Sequence, residues 1–254
     1  MSFKRLEVVQ YFGHNFVNVD VSSQEGLKHA KELNLPASHL ADVVSSPYAS
    51  EVMTGLFDQE HRGKMFALLR HPIERLASKF YYLQTATHER SYNPEFAKMT
   101  LEEYAQIPKY LGDNWMTRML VGKLWEPLEH HDLEIANEIL KKKCLVGLQE
   151  NMQESLERFE TYFGWKLIDL VKRDDTLQTG EECKRSFLYG SEKEREAKKF
   201  NAHQHPKVEQ GSPAWELLAK ASKYDMELYK TAVDVFEHQG QLFQNNDNTE
   251  RHQG

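Results

Sequence analysis

The chain has 254 residues, of which 40% are apolar and 11% aromatic, so it can bury a core and is not disordered throughout. Its formal net charge of −7 excludes a protein that coats nucleic acid by general positive charge. No segment approaches the roughly 18 consecutive apolar residues of a membrane span. No signal peptide is visible either. We therefore expect a soluble chain that has no nucleic-acid partner.

The first sixty residues predict alternating strands and helices. The alternating, valine-rich stretch FVNVDV predicts a strand over 16–21. A helix is expected over 22–33, with the Ser-x-x-Glu spacing of a capping box at its start. A second short strand is expected over 41–44 and a short helix over 49–57. This alternation predicts an α/β fold, built on a parallel sheet with right-handed crossovers.

A third predicted strand leads directly into a long helix. The apolar run Met65–Leu69 predicts the strand, and after Pro72 apolar residues recur on one helical face. Arg70 follows the strand, at the sheet edge where open parallel sheets bind ligands and beside a helix N-terminus, which suits an anion. Ser78 comes eight residues later and falls away from the apolar face. Together they predict a phosphate clamp.

The same stretch, LLRHPIERLASKFYYLQ over 68–84, resembles the 3′-phosphate-binding element of sulfotransferases. These enzymes use 3′-phosphoadenosine 5′-phosphosulfate as donor. The residues of this stretch are most similar to those of the carbohydrate branch, which includes the heparan sulfate enzymes. The resemblance implies that Arg70 and Ser78 bind the 3′-phosphate. The alternative interpretation is an arginine that ends a strand beside an ordinary amphipathic helix.

The resemblance also implies a fold and an activity. It implies a P-loop-NTPase-like, three-layer sandwich with a central parallel sheet and a helix-rich C-terminal half. The activity would be transfer of a sulfuryl group to a hydroxyl or amine of a carbohydrate acceptor, in the Golgi, without a metal. We expect one domain over 1–240 and a disordered tail over 241–254.

Two further segments are similar to blocks of this family. In LGDNWMTRMLVGKLW, Asn114 and Arg118 would share a helical face and bind anionic groups of donor or acceptor. Equally, Asn114 could cap a helix and Arg118 be a surface charge. The run Cys144–Leu148 predicts the next strand, followed by Glu150 and a helix over 152–163. Glu150 could hold a basic residue or water at the strand end.

The C-terminal third predicts a long loop and then helices. Residues 166–199 are rich in charge and predict an extended loop. In the family a late loop with basic and histidine residues closes over the nucleotide, so we expect cofactor contacts from four residues of the segment 198–208, which are Lys199, His203, His205 and Lys207. The alternative interpretation is that these histidines are solvated loop residues. A metal site is the weaker interpretation, because zinc needs three or four ligands in defined geometry. A helix is then expected from Ser212, with a break near Ser222.

The chain departs from the family at two points. Sulfotransferases hold the 5′-phosphosulfate in a Lys-, Gly- and Thr-containing loop between the first strand and helix, and this sequence contains no such loop. We expect either an N-terminally incomplete enzyme or a degenerate, non-catalytic nucleotide- or sugar-binding module. The catalytic base is unassigned, because the corresponding turn over 45–48 has neither His nor Glu. Pairing between Cys144 and Cys183 is open.

Overall fold

Helices dominate this computed structural model, and two pairs of short strands form its sheets. The structure describes residues 4–11, 14–89, 91–165 and 205–250, except for the side chains of Tyr11, His14 and 244–250. The strands are β1 (Val8–Tyr11), β2 (His14–Val17), β3 (Met65–Leu69) and β4 (Cys144–Leu148). The α-helices are α1 (Gln24–Glu32), α2 (Leu35–Ser38), α3 (Ala49–Glu51), α4 (Pro72–Leu83), α5 (Leu101–Ala105), α6 (Pro108–Leu111), α7 (Trp115–Val121), α8 (His130–Lys143), α9 (Met152–Phe163), α10 (Pro213–Ala221) and α11 (Lys223–Glu250).

The chain divides into two compact units. The first contains Met1–Met65 and Trp115–Cys144, and the second contains Phe66–Asn114 and Leu145–Gly254. In the first unit, β1 and β2 form an antiparallel hairpin, and α3 continues into a π-helical turn, Val52–Leu56. Its core is small and centres on three buried side chains, which are Ala30, Leu35 and Leu56.

Two strand predictions in the first unit are corrected. The strand expected over 16–21 is β2, which starts earlier and ends at Val17, because it pairs with β1 across a hairpin. The stretch 41–44 is not a strand: Ala41 and Val44 pack partly buried against the core without joining a sheet. Part of this stretch is therefore packed against the core although its backbone joins no strand.

The first helix begins one residue later than its capping-box spacing predicts. Ser22 donates its hydroxyl to Asp20 Oδ1 at 2.6 Å, so it is already engaged in the preceding turn. Ser23 is the N-cap, and its Oγ accepts from the Gly26 N–H at 3.1 Å. By contrast, the capping box that opens α5 at Thr100 is formed by both of its hydrogen bonds.

The second unit contains β3 and β4, apart from their first residues, as a parallel pair. Helix α4 buries its apolar face in the main core, with Ile73, Leu76 and Phe80 almost fully enclosed. Helix α9 packs closely on β4, since a side chain at Gly147 would place its Cβ 2.6 Å from the Phe159 ring. Aromatic rings of α4, α5 and the 3₁₀ turn Pro94–Lys98 fill the remaining core.

The predicted α/β class is confirmed at the coarse level of mixed helix and sheet with a parallel strand pair. The described residues form two sheets of two strands each, so the central sheet of a sandwich stays a prediction. The break at Ser222 lies between α10 and α11, as expected. Helix α11 then continues past Gly240 to Glu250, where the composition predicts a disordered tail.

Several expectations fall on residues that the structure does not describe. The predicted loop over 166–199 and Cys183 lie there. Cys144 is buried, and burial raises the pKa of its thiol to about 12. Across the described helices, none has the length and apolar character needed to cross a bilayer.

Candidate anion-binding site at the end of strand β3

The site begins at the turn between β3 and α4. Strand β3 ends at Leu69, and Pro72 starts α4, because its missing N–H costs nothing in the first helical turn. Arg70 and His71 fill the two positions between. The backbone N–H of His71 donates to Glu150 Oε1 at 3.0 Å. The local sequence therefore fixes Arg70 at the carboxyl end of a parallel strand, beside a helix N-terminus.

The guanidinium of Arg70 has two neighbours in the same unit. Its Nη2 lies 3.4 Å from His205 Nε2 and 4.0 Å from Glu74 Oε2. The Arg70 side chain is 27% exposed, so part of it still faces solvent. Both contacts are longer than an ideal charge-assisted hydrogen bond. Arg70 is thus positioned by protein groups while it keeps donors for an external anion.

His205 is held on three sides. Its ring is stacked on Tyr81, with centroids 5.4 Å apart and planes 4° from parallel. Its Nδ1 lies 3.1 Å from the Pro206 carbonyl oxygen, which can only accept, so Nδ1 carries the proton of that hydrogen bond. In the neutral ring the Nε2 lone pair therefore faces Arg70. The side chain is 7% exposed.

Ser78 lies on the helical face that carries these contacts. Glu74, Ser78 and Tyr81 are spaced i, i+4 and i+7 along α4, so they share one face. Glu74 faces Arg70, and Tyr81 packs on His205, which leaves Ser78 between them. The Ser78 side chain is half-buried. Within the described ranges, no residue forms a hydrogen bond with its hydroxyl.

Glu150 closes the turn from the end of β4. Besides the His71 N–H at Oε1, its Oε2 accepts from the Tyr229 hydroxyl at 2.8 Å. Burial, this hydrogen bond and the carboxylate charge raise the pKa of Tyr229. The Tyr229 ring also packs edge-on against His71, with centroids 5.3 Å apart. Glu150 therefore joins the ends of both parallel strands to α11.

The other two cations of α4 are committed to the protein. Arg75 Nη2 donates to the Gly112 carbonyl at 2.9 Å, and Lys79 Nζ donates to the Tyr110 carbonyl at 2.8 Å. Both contacts hold the C-terminal end of α6, where a positive charge is favourable. Compared with Arg75 and Lys79, Arg70 therefore has the most open surroundings in this part of the chain.

Asn114, expected to bind substrate, is buried and holds the start of α11. Its backbone is left-handed, with φ of 48°. Its Oδ1 accepts from the N–H groups of Tyr224 at 2.8 Å and Asp225 at 3.2 Å. Its Nδ2 donates to the Ala221 carbonyl at 3.1 Å. These contacts use the amide within the protein, so substrate binding by Asn114 stays a prediction.

Arg118, the second expected substrate residue, belongs to the first unit. Its Nη1 donates to the carbonyls of Lys123 at 3.1 Å and Glu126 at 2.7 Å. It therefore fixes the loop between α7 and α8. Its role toward a substrate also stays a prediction.

The remaining expected site residues lie elsewhere. Lys199 and His203 fall outside the described residues. One cleft of about 380 Å³ follows the exposed face of α8, and another of about 270 Å³ lies between α1 and the π-helical turn; neither includes Arg70. Among the described side chains, no three His, Cys, Asp or Glu residues are grouped as metal ligands.

Tyr229 and Glu74 are site residues that sequence reasoning did not single out. Tyr229 is 79 positions from its partner Glu150, and nothing local to either residue indicates the pairing. Glu74 had a usable signal, since it lies four residues after Arg70, the spacing of a helical ion pair.

Comparison of the chain with protein-family models, curated proteins and solved structures finds no match. The function is therefore argued from the site.

Proposed function

We propose that the chain is a sulfotransferase that binds 3′-phosphoadenosine 5′-phosphosulfate through Arg70 and Ser78 and sulfates a carbohydrate. The observation that carries the proposal is the placement of Arg70 at the end of β3, with Ser78 on the adjacent face of α4. The P-loop-NTPase-like sandwich and a Golgi location belong to the same proposal.

The physical case rests on charge and on available donors. A guanidinium offers paired N–H donors whose geometry matches phosphate oxygens, and such contacts are about twice as strong as neutral hydrogen bonds. The Ser78 hydroxyl adds a donor on the same face. Glu74 opposes anion binding by its negative charge, but its oxygen is 4.0 Å from Arg70 and its side chain is 29% exposed, so it can be displaced toward solvent.

The reaction would be an in-line displacement at sulfur. The acceptor oxygen or nitrogen forms a bond to sulfur as the bond from sulfur to the 5′-phosphate oxygen breaks. The electron pair of that bond leaves with adenosine 3′,5′-bisphosphate. A base takes the acceptor proton, and no residue of the described site is assigned that role. Arg70 and Ser78 would supply binding and orientation of the donor.

A nucleotide panel tests the donor assignment. Adenosine 3′,5′-bisphosphate should raise the melting temperature of the protein, whereas adenosine 5′-monophosphate, which lacks the 3′-phosphate, should raise it much less. A ligand at 100 times its dissociation constant adds about 2.7 kcal/mol of stability. Equal shifts from both nucleotides would remove the 3′-phosphate from the account.

A non-catalytic nucleotide- or sugar-binding module is the second candidate, because the sequence contains no Lys-, Gly- and Thr-containing loop to hold the 5′-phosphosulfate. Turnover separates the two candidates. An enzyme transfers labelled sulfate from the donor to a desulfated glycan, whereas a binding module binds the bisphosphate without releasing product.

A further inference from the structure

His205 lies where a ligand on Arg70 would meet it. We propose that His205 is a second anion-contacting residue of this site, that it contacts the anion in its protonated form, and that anion binding therefore takes up about one proton. The inference rests on the proposed function, whose 3′-phosphate is the anion concerned. It narrows the cofactor contact expected of His205 to this anion and adds a proton to the binding step.

The direction of the lone pair supplies the first step. Because Nδ1 donates to the Pro206 carbonyl, the neutral ring presents its Nε2 lone pair toward Arg70. An anion that binds the Arg70 guanidinium brings its own oxygen lone pairs to the same place. Two lone pairs repel each other, whereas a proton on Nε2 turns His205 into a donor to the anion.

The charged neighbours of His205 supply the second step. In the described part of the chain, the charged or titratable groups that face the ring are Arg70 at the end of β3 and Glu74 and Tyr81 on α4. Arg70 disfavours a second positive charge. Glu74 Oε2, 3.8 Å from Nε2, favours it. An anion bound at Arg70 would add a second negative charge beside the ring.

The charge of the anion matches the site. An imidazolium beside a guanidinium gives two positive charges, and a phosphate monoester carries two negative charges. The low exposure of His205 strengthens this interaction, because little water screens it. The site is thus expected to prefer a dianionic phosphate to a singly charged carboxylate.

Calorimetry tests the proton directly. Adenosine 3′,5′-bisphosphate is titrated into the full chain at pH 7.5 in two buffers of different ionisation enthalpy, and the difference in heat gives the protons exchanged. We expect net uptake in the native protein. In His205→Gln, which keeps a neutral acceptor, uptake should disappear and the dissociation constant should rise about tenfold. The same proton count and affinity in both proteins would overturn the inference.

Inorganic sulfate provides a second probe, because it exchanges no proton of its own near neutral pH. Proton uptake on sulfate binding supports the inference, and sulfate binding without uptake overturns it, even if His205→Gln fails to fold. Sulfate binding with uptake, and a bisphosphate that binds no tighter than sulfate, would leave the inference standing and remove the proposed function. Tight bisphosphate binding without uptake would do the reverse. If neither ligand binds, both fail.

Discussion

The Nε2 atom of His205 lies 3.4 Å from Nη2 of Arg70, although 135 positions of sequence separate the two residues. This contact joins the β3–α4 turn to the late histidine-containing segment, the two stretches to which the family resemblance assigns the nucleotide. Tyr81 stacks on His205 and Glu74 lies near both, so the contact is one part of an organised cluster.

The pairing of Glu150 with Tyr229 should be measurable as a coupling. Tyr229→Phe removes the hydroxyl that Glu150 accepts from at 2.8 Å and should cost about 1 kcal/mol of unfolding free energy. In a double-mutant cycle with Glu150→Ala, the two losses should not add. Urea denaturation measures all four proteins. Full additivity would show that the hydrogen bond is absent in solution.

His71 should contribute a pH dependence to stability. Burial lowers the pKa of His71, against the attraction of Glu150 and Glu74. The unfolded chain therefore binds more protons on this ring than the folded one as the pH falls below the ordinary histidine pKa of about 6.5, and stability is lost there. His71→Gln should flatten the loss of unfolding free energy between about pH 7 and pH 5.

The His71 comparison is read from parallel urea denaturations of the two proteins at each pH. Carboxylates that do not interact with His71 contribute equally to both proteins, so the difference in slope reports the imidazole together with its interactions with Glu150 and Glu74. Parallel curves would show that His71 titrates alike in the folded and unfolded states.

A side chain added at Gly240 on α11 should destabilise the protein. A Cβ there would lie 2.5 Å from Nη2 of Arg158. That guanidinium is fixed by Glu154 and the Phe236 carbonyl and packs on the Phe236 ring at 3.8 Å, so it cannot easily move. Gly240→Ala should lower the unfolding free energy by about 1–3 kcal/mol.

Gly55 is the matched control for Gly240. It lies in the π-helical turn, and an added Cβ would meet no atom within 4 Å. Gly55→Ala should be neutral or should stabilise the protein by up to about 1 kcal/mol, through the lower entropy of its unfolded chain. If thermal melts show equal losses for both substitutions, the Arg158 contact does not explain Gly240.

Asn114 should behave as a structural residue. Asn114→Ala removes acceptors for two backbone N–H groups of α11 and strains a left-handed backbone, so it should cost roughly 2–3 kcal/mol. Asn114→Gly removes the same acceptors but avoids the backbone strain, so it should lose less unfolding free energy. Chemical denaturation ranks the three proteins. Equal stability of the Ala and Gly variants would show that the left-handed backbone costs nothing.

Local sequence was sufficient for elements whose signals are local. The strand Met65–Leu69 and the helix start at Pro72 were both located correctly, because a strand and a first helical turn depend on neighbouring residues. The strand prediction over 41–44 was wrong because strand formation needs a pairing partner, which composition does not indicate.

The site residues also divide into those that local sequence indicates and those that depend on tertiary packing. Arg70 and Ser78 could be placed on one side of α4 from periodicity. The sequence could not show which residues contact Arg70, since His205 reaches it only through tertiary packing. Asn114 was weighed as a helix cap, and it does hold a helix, but that helix is α11, more than a hundred positions away.

The most direct test of the account is the dissociation constant of adenosine 3′,5′-bisphosphate for the native chain and for Arg70→Ala. Arg62→Ala serves as control, because Arg62 is a cation whose Nε donates to the nearby Gln59 carbonyl. We predict that the native chain and Arg62→Ala bind alike and that Arg70→Ala loses at least a hundredfold in affinity, or about 2.7 kcal/mol. Equal affinity of Arg70→Ala and the native chain, or no binding by the native chain at millimolar nucleotide, would contradict the account.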